Sequence, residues 1–298
     1  MDIGDWQASK ELNKVFADVR ELDLVSNIAE LEAYGFTIVE PHKVKSEALF
    51  ERMLAATKRL SDKADAEGRK MAKVVGTDGT DHSRILYSVI NQDPLFAEAV
   101  MHPVALTLGR YLMGASARLF TTSAFVKRGK AAPTHLHTDS AGTPPPLYPF
   151  GLVCNISWIL TDYTKDRGTF AMVPGSHRYC RHPTPIEMPR MMGGPNDDAI
   201  CVPVEAKPGS LIAFNGNTWH GTFPKMDDEF RAHVVTGFCR NYIMPAEQFD
   251  DVPPSVVDTY GEEFAHLLWR NAWQRYGDDG PRGERLARIW PANYTPSA

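Results

Sequence analysis

Thr134-His135-Leu136-His137-Thr138-Asp139 is the stretch on which the reading of this chain turns. In an extended strand, side chains two apart share a face, so His137 and Asp139 point at one ion. An imidazole and a carboxylate placed this way fill two adjacent coordination positions. A centre built from two His and one carboxylate needs a third donor from elsewhere in the chain and keeps three positions open. Asn217-Thr218-Trp219-His220-Gly221 supplies His220, 83 positions further on. Eleven positions later Arg231 opens a strand-like run, and its planar guanidinium suits a carboxylate. The competing reading of Arg231 is a surface ion pair with Asp227, Asp228 or Glu229. A His-x-Asp alone is weak among ten His; the four residues in this order are far more specific.

Working outward, strands dominate from Arg118. Leu119 to Lys127 is β-branched and aromatic, Gly129 to Pro133 turns the chain, and Leu152 to Leu160 is a further strand. Gly168 to His177 reads as a strand ending in a tight turn, Ser210 to Phe214 as the strand that delivers His220, and Phe230 to Ile243 as the last strand. Residues 178–206 look like an irregular insertion. Pro144-Pro145-Pro146 cannot pair in a central sheet and marks a stiff loop over Ser140 to Pro149. Upstream, residues 1–26 and Asn27 to Tyr34 read as helix, with Gly35 ending the second before a short strand, Phe36 to Val39. Ser46 to Glu67 and Pro94 to Leu112 carry helical apolar repeats, Gly68 to Ser83 a loop, Arg84 to Tyr87 a strand, and 253–276 a helix rich in aromatic residues. Helices, then a strand-rich centre, then a helix predict an α+β protein on a β-sandwich or barrel.

The totals narrow the function. A chain of 298 residues with 43% hydrophobic content builds one substantial core, and a single domain over 1–298 is expected. A formal charge of −5 gives no basic excess for nucleic acid. No apolar run approaches the roughly 20 residues that cross a bilayer, and the start lacks a signal-peptide core, so a cytoplasmic protein is expected. Cys154, Cys180, Cys201 and Cys239 form no CxxC pair and read as free thiols, which excludes a zinc site built on them.

Pro174-Gly175-Ser176-His177 after the turn at Gly168, together with His137-Thr138-Asp139, Trp219-His220-Gly221 and Arg231, resembles the phytanoyl-CoA dioxygenase family. Order and spacing are similar across residues 27–245, and Tyr34-Gly35-Phe36 and Pro208-Gly209-Ser210 add to the likeness. The resemblance implies a double-stranded β-helix (jelly-roll or cupin-like), with a β core at about 117–245 between N-terminal helices (1–115) and a C-terminal helical region (253–290). It implies Fe(II) on His137, Asp139 and His220, with 2-oxoglutarate and O2 as co-substrates and Arg231 on the far carboxylate of 2-oxoglutarate. Some members carry a Gln three residues before the first ligand; here Thr134 stands there, with a hydroxyl of shorter reach. Many members carry Asn-Gly before the Pro-Gly-Ser-His strand, whereas this chain has Arg167-Gly168-Thr169-Phe170, which makes Thr169 a further candidate contact. Halogenating relatives lack the carboxylate that Asp139 provides. Hydroxylation or desaturation of an unactivated C–H bond is therefore expected, with succinate and CO2 as co-products.

Segments 68–92, 140–150 and 178–200 are the expected lids. Tyr87, Leu147, Tyr148, Phe150, Met188, Met191 and Met192, beside Arg84, Lys127 and Arg190, suit a lipophilic small molecule or merely pack the lids. His135 is expected beside the metal or at the rim. His177, His182 and His233 are expected to be structural, His177 at the Pro-Gly-Ser turn and His233 on the face of Arg231. Two other classes compete: a non-catalytic jelly-roll binding protein, and a cupin-like metalloenzyme using His135, His137 and His220 without 2-oxoglutarate. A homodimer is a further expectation.

Overall fold

The computed structural model describes residues 7–68, 83–140 and 142–270. Helices α1 (Gln7–Glu21) and α2 (Val25–Tyr34) lead into β1 (Phe36–Val39), followed by α3 (Pro41–Val44) and α4 (Glu47–Ala66). Then come β2 (Ser83–Leu86), α5 (Val89–Gln92), α6 (Leu95–Met101) and α7 (Pro103–Met113). The β core follows as β3 (Arg118–Lys127), β4 (Val153–Ile159), β5 (Phe170–Met172), β6 (Val202–Val204), β7 (Leu211–Asn215), β8 (His220–Thr222) and β9 (Arg231–Cys239), and α8 (Pro254–Leu267) closes the described chain. The expected loop at Gly68 to Ser83 lies almost wholly outside the described residues, as do Trp273 and Tyr276.

Two antiparallel sheets face each other, one in the order β1-β7-β4-β9-β3-β2 and one in the order β6-β5-β8. This is the double-stranded β-helix. Strand alternation splits the large sheet into two chemistries. Leu119, Ala124, Ile156, Trp158, Val234 and Phe238 face the helical layer and share its core. Arg231, His233 and Val235 face the other way, into the barrel, as do Thr121, Ser123 and Phe125. All nine residues of β9 are buried, because helices cover one face and the small sheet the other. One end of the barrel is filled by Ile159, Tyr163, Phe170, Met172, Val204, Ile212 and Phe214.

One helix expectation is corrected. Pro94 to Leu112 is two helices, since Pro103 drives His102 into extended backbone (φ −64°, ψ 130°). The break is capped, with His102 Nδ1 accepting from the Val104 N–H at 3.3 Å. The insertion at 178–206 is irregular as expected, except that Val202–Val204 adds an edge strand to the small sheet.

Gly35 ties the helices to the turn that carries His220. It ends α2 in the left-handed region (φ 87°), and its carbonyl accepts from the Asn215 N–H and the Thr218 hydroxyl, both at 2.9 Å. A Cβ there would collide with Thr218 Oγ1 and lie 2.6 Å from His177 Nδ1. Gly35→Ala is therefore expected to cost about 2–4 kcal/mol, from the left-handed strain plus the overpacking, read as a fall in the urea midpoint.

Candidate metal centre

The His137 segment reaches the barrel through two isolated backbone pairs rather than a full strand. His137 N–H donates to the His220 carbonyl at 2.9 Å, and His220 N–H to the His137 carbonyl at 3.0 Å. Asp139 N–H donates to the Gly216 carbonyl at 2.9 Å. Gly221 makes this approach possible, because a Cβ there would strike the Thr134 carbonyl and sit 3.0 Å from that of His135. The glycine of the Trp219-His220-Gly221 motif is thus a packing requirement.

Ligand atoms of His137, Asp139 and His220 lie within 4.8 Å of one another. Asp139 Oδ1 is 3.8 Å from His137 Nε2 and 3.6 Å from His220 Nε2. The tautomers follow from the hydrogen bonds. His137 Nδ1 is 2.9 Å from the His135 carbonyl and His220 Nδ1 is 2.8 Å from that of Thr218. A carbonyl only accepts, so both Nδ1 atoms carry the proton and both Nε2 lone pairs face inward. Burial pushes His220 down to about 4, with Asp139 pulling the other way, so the ring is neutral at neutral pH. The carboxylate is oriented too, since Asn155 Nδ2 on β4 donates to Asp139 Oδ2 at 2.6 Å and leaves Oδ1 for the ion. This donor set suits a divalent first-row metal with one face open.

Asn155 was not legible in the sequence, because only the β4–β7 ladder, together with the backbone bond from Asp139 to Gly216, brings it under a residue 16 positions away. Asn155→Ala is expected to weaken metal affinity about 10–100-fold with the fold retained, measured by competition with a chelating dye.

The triad opens on a cavity of about 340 Å³ that Arg231 also lines. Arg231 is 1% exposed, and its guanidinium lies 4.1 Å above the Tyr163 ring. Its Nε and Nη2 are buried with no hydrogen-bond partner. Burial lowers its pKa, and it pushes the Tyr163 hydroxyl up to about 12. The surface ion-pair reading fails here: Asp227 and Glu229 go to Arg167, at 3.4 and 2.6 Å, and Asp227 also to Lys225. Rings connect guanidinium to metal site. Tyr163 and Phe170 lie 5.5 and 5.4 Å from His233, Phe170 is 5.5 Å from Phe214, and Phe214 is 4.7 Å from His220. His233 stacks on Phe125 at 4.8 Å, and burial holds it well below its ordinary value, as an uncharged packing group.

Thr134 lines the same cavity beside Thr222, a residue the sequence reading missed. Thr222 Oγ1 accepts from the Thr134 N–H at 2.9 Å and donates to Thr134 Oγ1 at 3.2 Å. Thr169 does not belong there. It neighbours the cavity-lining Phe170 and so faces away, with its hydroxyl donating to the Val204 carbonyl. His135 is exposed, outside the triad, and contributes its carbonyl rather than its ring. His182 is structural, bonded to the Thr138 hydroxyl and the Thr143 carbonyl at 2.8 Å each; His177 sits by the Gly35 turn.

The lid expectation is corrected as well. Of the side chains named for it only Arg84, Tyr87 and Lys127 line the cavity, joined from segment 68–92 by Ser83 and Ile85, while residues 69–82 and 141 lie outside the described residues. Met188, Met191 and Met192 pack with Leu136, Ala171 and Phe223 on the far side of the small sheet. Tyr148 and Phe150 stack on each other at the surface, and Leu147 is buried away from the cavity. Arg190 also lies outside it.

Fold and donor set together define a jelly-roll metalloprotein with a 2-His-1-carboxylate centre. The phytanoyl-CoA dioxygenase (PhyH) family profile matches residues 31–232, and the chain belongs to that dioxygenase family. It is 24% identical over 242 residues to dioxygenase af480 of Aspergillus fumigatus, covering 80% of this chain and 75% of that protein. Among solved structures it resembles HygX from Streptomyces hygroscopicus with nickel and 2-oxoglutarate bound (TM-score 0.58, 19% identity, 76% of this chain and 90% of that one). It also resembles the epimerase SnoN in complex with Fe3+, alpha ketoglutarate and nogalamycin RO (TM-score 0.55, 19% identity, 74% and 84%). No described helix is long and apolar enough to cross a membrane.

Proposed function

We propose that the chain is an Fe(II)- and 2-oxoglutarate-dependent dioxygenase that hydroxylates or desaturates a small, largely apolar molecule. One observation carries this reading: a buried guanidinium with two unpartnered nitrogens opens onto the same cavity as the three metal-binding side chains. A buried cation left without a counter-charge is costly, and its environment calls for an anion. Nε and Nη2 form one edge of the guanidinium fork, which matches the two oxygens of a carboxylate. Arg holds that charge at any relevant pH. The aromatic wall from Tyr163 to Phe214 leaves an apolar slot between guanidinium and metal, suited to the methylene chain of a dicarboxylate.

His137, Asp139 and His220 would hold the iron on one side, with both imidazoles neutral and aimed by backbone carbonyls. Thr134 and Thr222 add hydroxyls to the same wall. When bound, iron and 2-oxoglutarate supply the O2-driven oxidising chemistry, with succinate and CO2 as co-products. The remaining wall is mainly apolar, with Ile85, Tyr87, Phe120, Phe125, Val235 and Ala246, which supports an apolar substrate frame. Anaerobic titration with Fe(II) and then 2-oxoglutarate tests the reading. A visible charge-transfer band that saturates at one equivalent of each is expected, and its absence in a metal-loaded protein overturns the assignment.

A further inference from the structure

The cavity has a second polar wall that the metal centre does not use. Thr121 and Ser123 share the inward face of β3 with Phe125. A bulge sets this phase: Leu119 pairs with Phe238, yet Thr121 pairs with Gly237, so Phe120 is the extra residue. Against the two hydroxyls lies Glu247, only 7% exposed and outside the cavity lining itself. Its Oε1 accepts from Ser123 Oγ at 2.6 Å and Thr121 Oγ1 at 2.8 Å. Its Oε2 accepts from the Thr122 N–H at 2.7 Å and the Thr122 hydroxyl at 3.3 Å. The segment carrying it is fastened in place, with Ala246 N–H donating to the Phe120 carbonyl at 3.0 Å and Asn91 Nδ2 to that of Gln248 at 2.8 Å. Among the described residues no cation pairs with Glu247.

Counting hydrogens gives the wall its polarity. A carboxylate only accepts, and each hydroxyl has a single hydrogen. The Thr121 and Ser123 oxygens are 3.0 Å apart, so each hydrogen goes either to Glu247 or to the neighbouring hydroxyl. Neither is left for the cavity, and what the wall offers inward is lone pairs. Its position is also defined. Gly237 lies six residues along β9 from Arg231, about 20 Å at the usual strand rise, so this wall stands at the far end from the guanidinium. Gly237 pairs with Thr121 on one side and with Asn155 on the other. The wall is therefore two strands, about 10 Å, from the residue that orients Asp139.

We propose that Thr121 and Ser123, backed by Glu247, form the substrate-orienting subsite. It takes a hydrogen-bond donor, a hydroxyl or an ammonium, carried by an otherwise apolar substrate, and so selects which C–H bond faces the metal. The proposal rests on the reading of this cavity as the oxidation site and names the substrate class that reading leaves open. An ether or a carboxylate at the same position brings lone pairs against lone pairs and is rejected. An ammonium gains further from the carboxylate charge behind the hydroxyls.

The test is binding of a matched set, 2-indanol, 2-aminoindane, 2-methoxyindane and indane-2-carboxylate, to the full chain by ligand-observed NMR, with 2-oxoglutarate affinity measured in the same samples. The alcohol and the amine are expected to bind about tenfold more tightly than the ether, with the carboxylate weakest. In Glu247→Gln the amide donates to one hydroxyl and frees its hydrogen, so the ether is expected to gain on the alcohol. Thr121→Val, which leaves Glu247 in place, is expected to narrow the alcohol–ether gap about threefold. Equal binding of alcohol and ether, or a gap unmoved in both variants, overturns the subsite. Donor preference without 2-oxoglutarate binding supports the subsite while sinking the co-substrate reading, so the two fail separately.

Discussion

Asp139→Ala is expected to abolish substrate-linked succinate formation, to below about a thousandth of the wild-type rate, with the fold retained. The carboxylate supplies the only negative charge among the three metal-binding side chains, and its Oδ1 lies 3.6–3.8 Å from both imidazole Nε2 atoms. Removing it leaves two neutral imidazoles, a weak and poorly oriented site for a hard divalent ion. Asn155 Nδ2 is simultaneously left facing a void. Structural cost is small by comparison, because the backbone bond from Asp139 N–H to Gly216 remains. Metal content by elemental analysis, together with a succinate assay at saturating Fe(II), measures the effect. Coupled turnover surviving in this variant would sink the ligand assignment.

The second large effect concerns Arg231, where function and stability are expected to move in opposite directions. Arg231→Met removes the fork proposed for the carboxylate and should raise the concentration of 2-oxoglutarate needed for half-saturation about 100-fold or more. Metal binding should be unchanged, since Arg231 contributes nothing to the triad. Yet the protein without co-substrate should become more stable, by about 1–4 kcal/mol, because the variant replaces a buried cation lacking hydrogen bonds on two nitrogens with an apolar side chain of similar length. A rise in the urea midpoint alongside the loss of 2-oxoglutarate affinity distinguishes a residue kept for binding from one kept for folding. A variant that lost both would place Arg231 among the structural ion pairs instead.

Much of this was legible in the chain. The strands at Phe36–Val39 and Arg118–Lys127 follow from β-branched and aromatic content between turn residues, which acts locally and needs no partner. The helical break at Pro103 is local too, and was missed only because the apolar repeat runs through it. The faces of residues were harder. Thr169 beside Phe170 carries no sequence mark that it turns away from the cavity. The Met-rich stretch at 188–192 looks like a lid and is instead a small core of its own.

By itself the sequence carried a strand-rich core between helices and, in motifs that resemble one family, pointed to the jelly-roll class, to His137, Asp139 and His220 as metal donors and to the Arg that follows them, because motif order and residue chemistry survive whatever the fold does with them. Only the tertiary structure decided the partners that tune them: Asn155 under Asp139, Thr222 beside Thr134, Tyr163 beneath Arg231, and Glu247 against Thr121 and Ser123. Each of these pairs joins strands or segments remote in sequence. Their meeting depends on antiparallel register, which a single bulged residue at Phe120 is enough to shift from one face to the other.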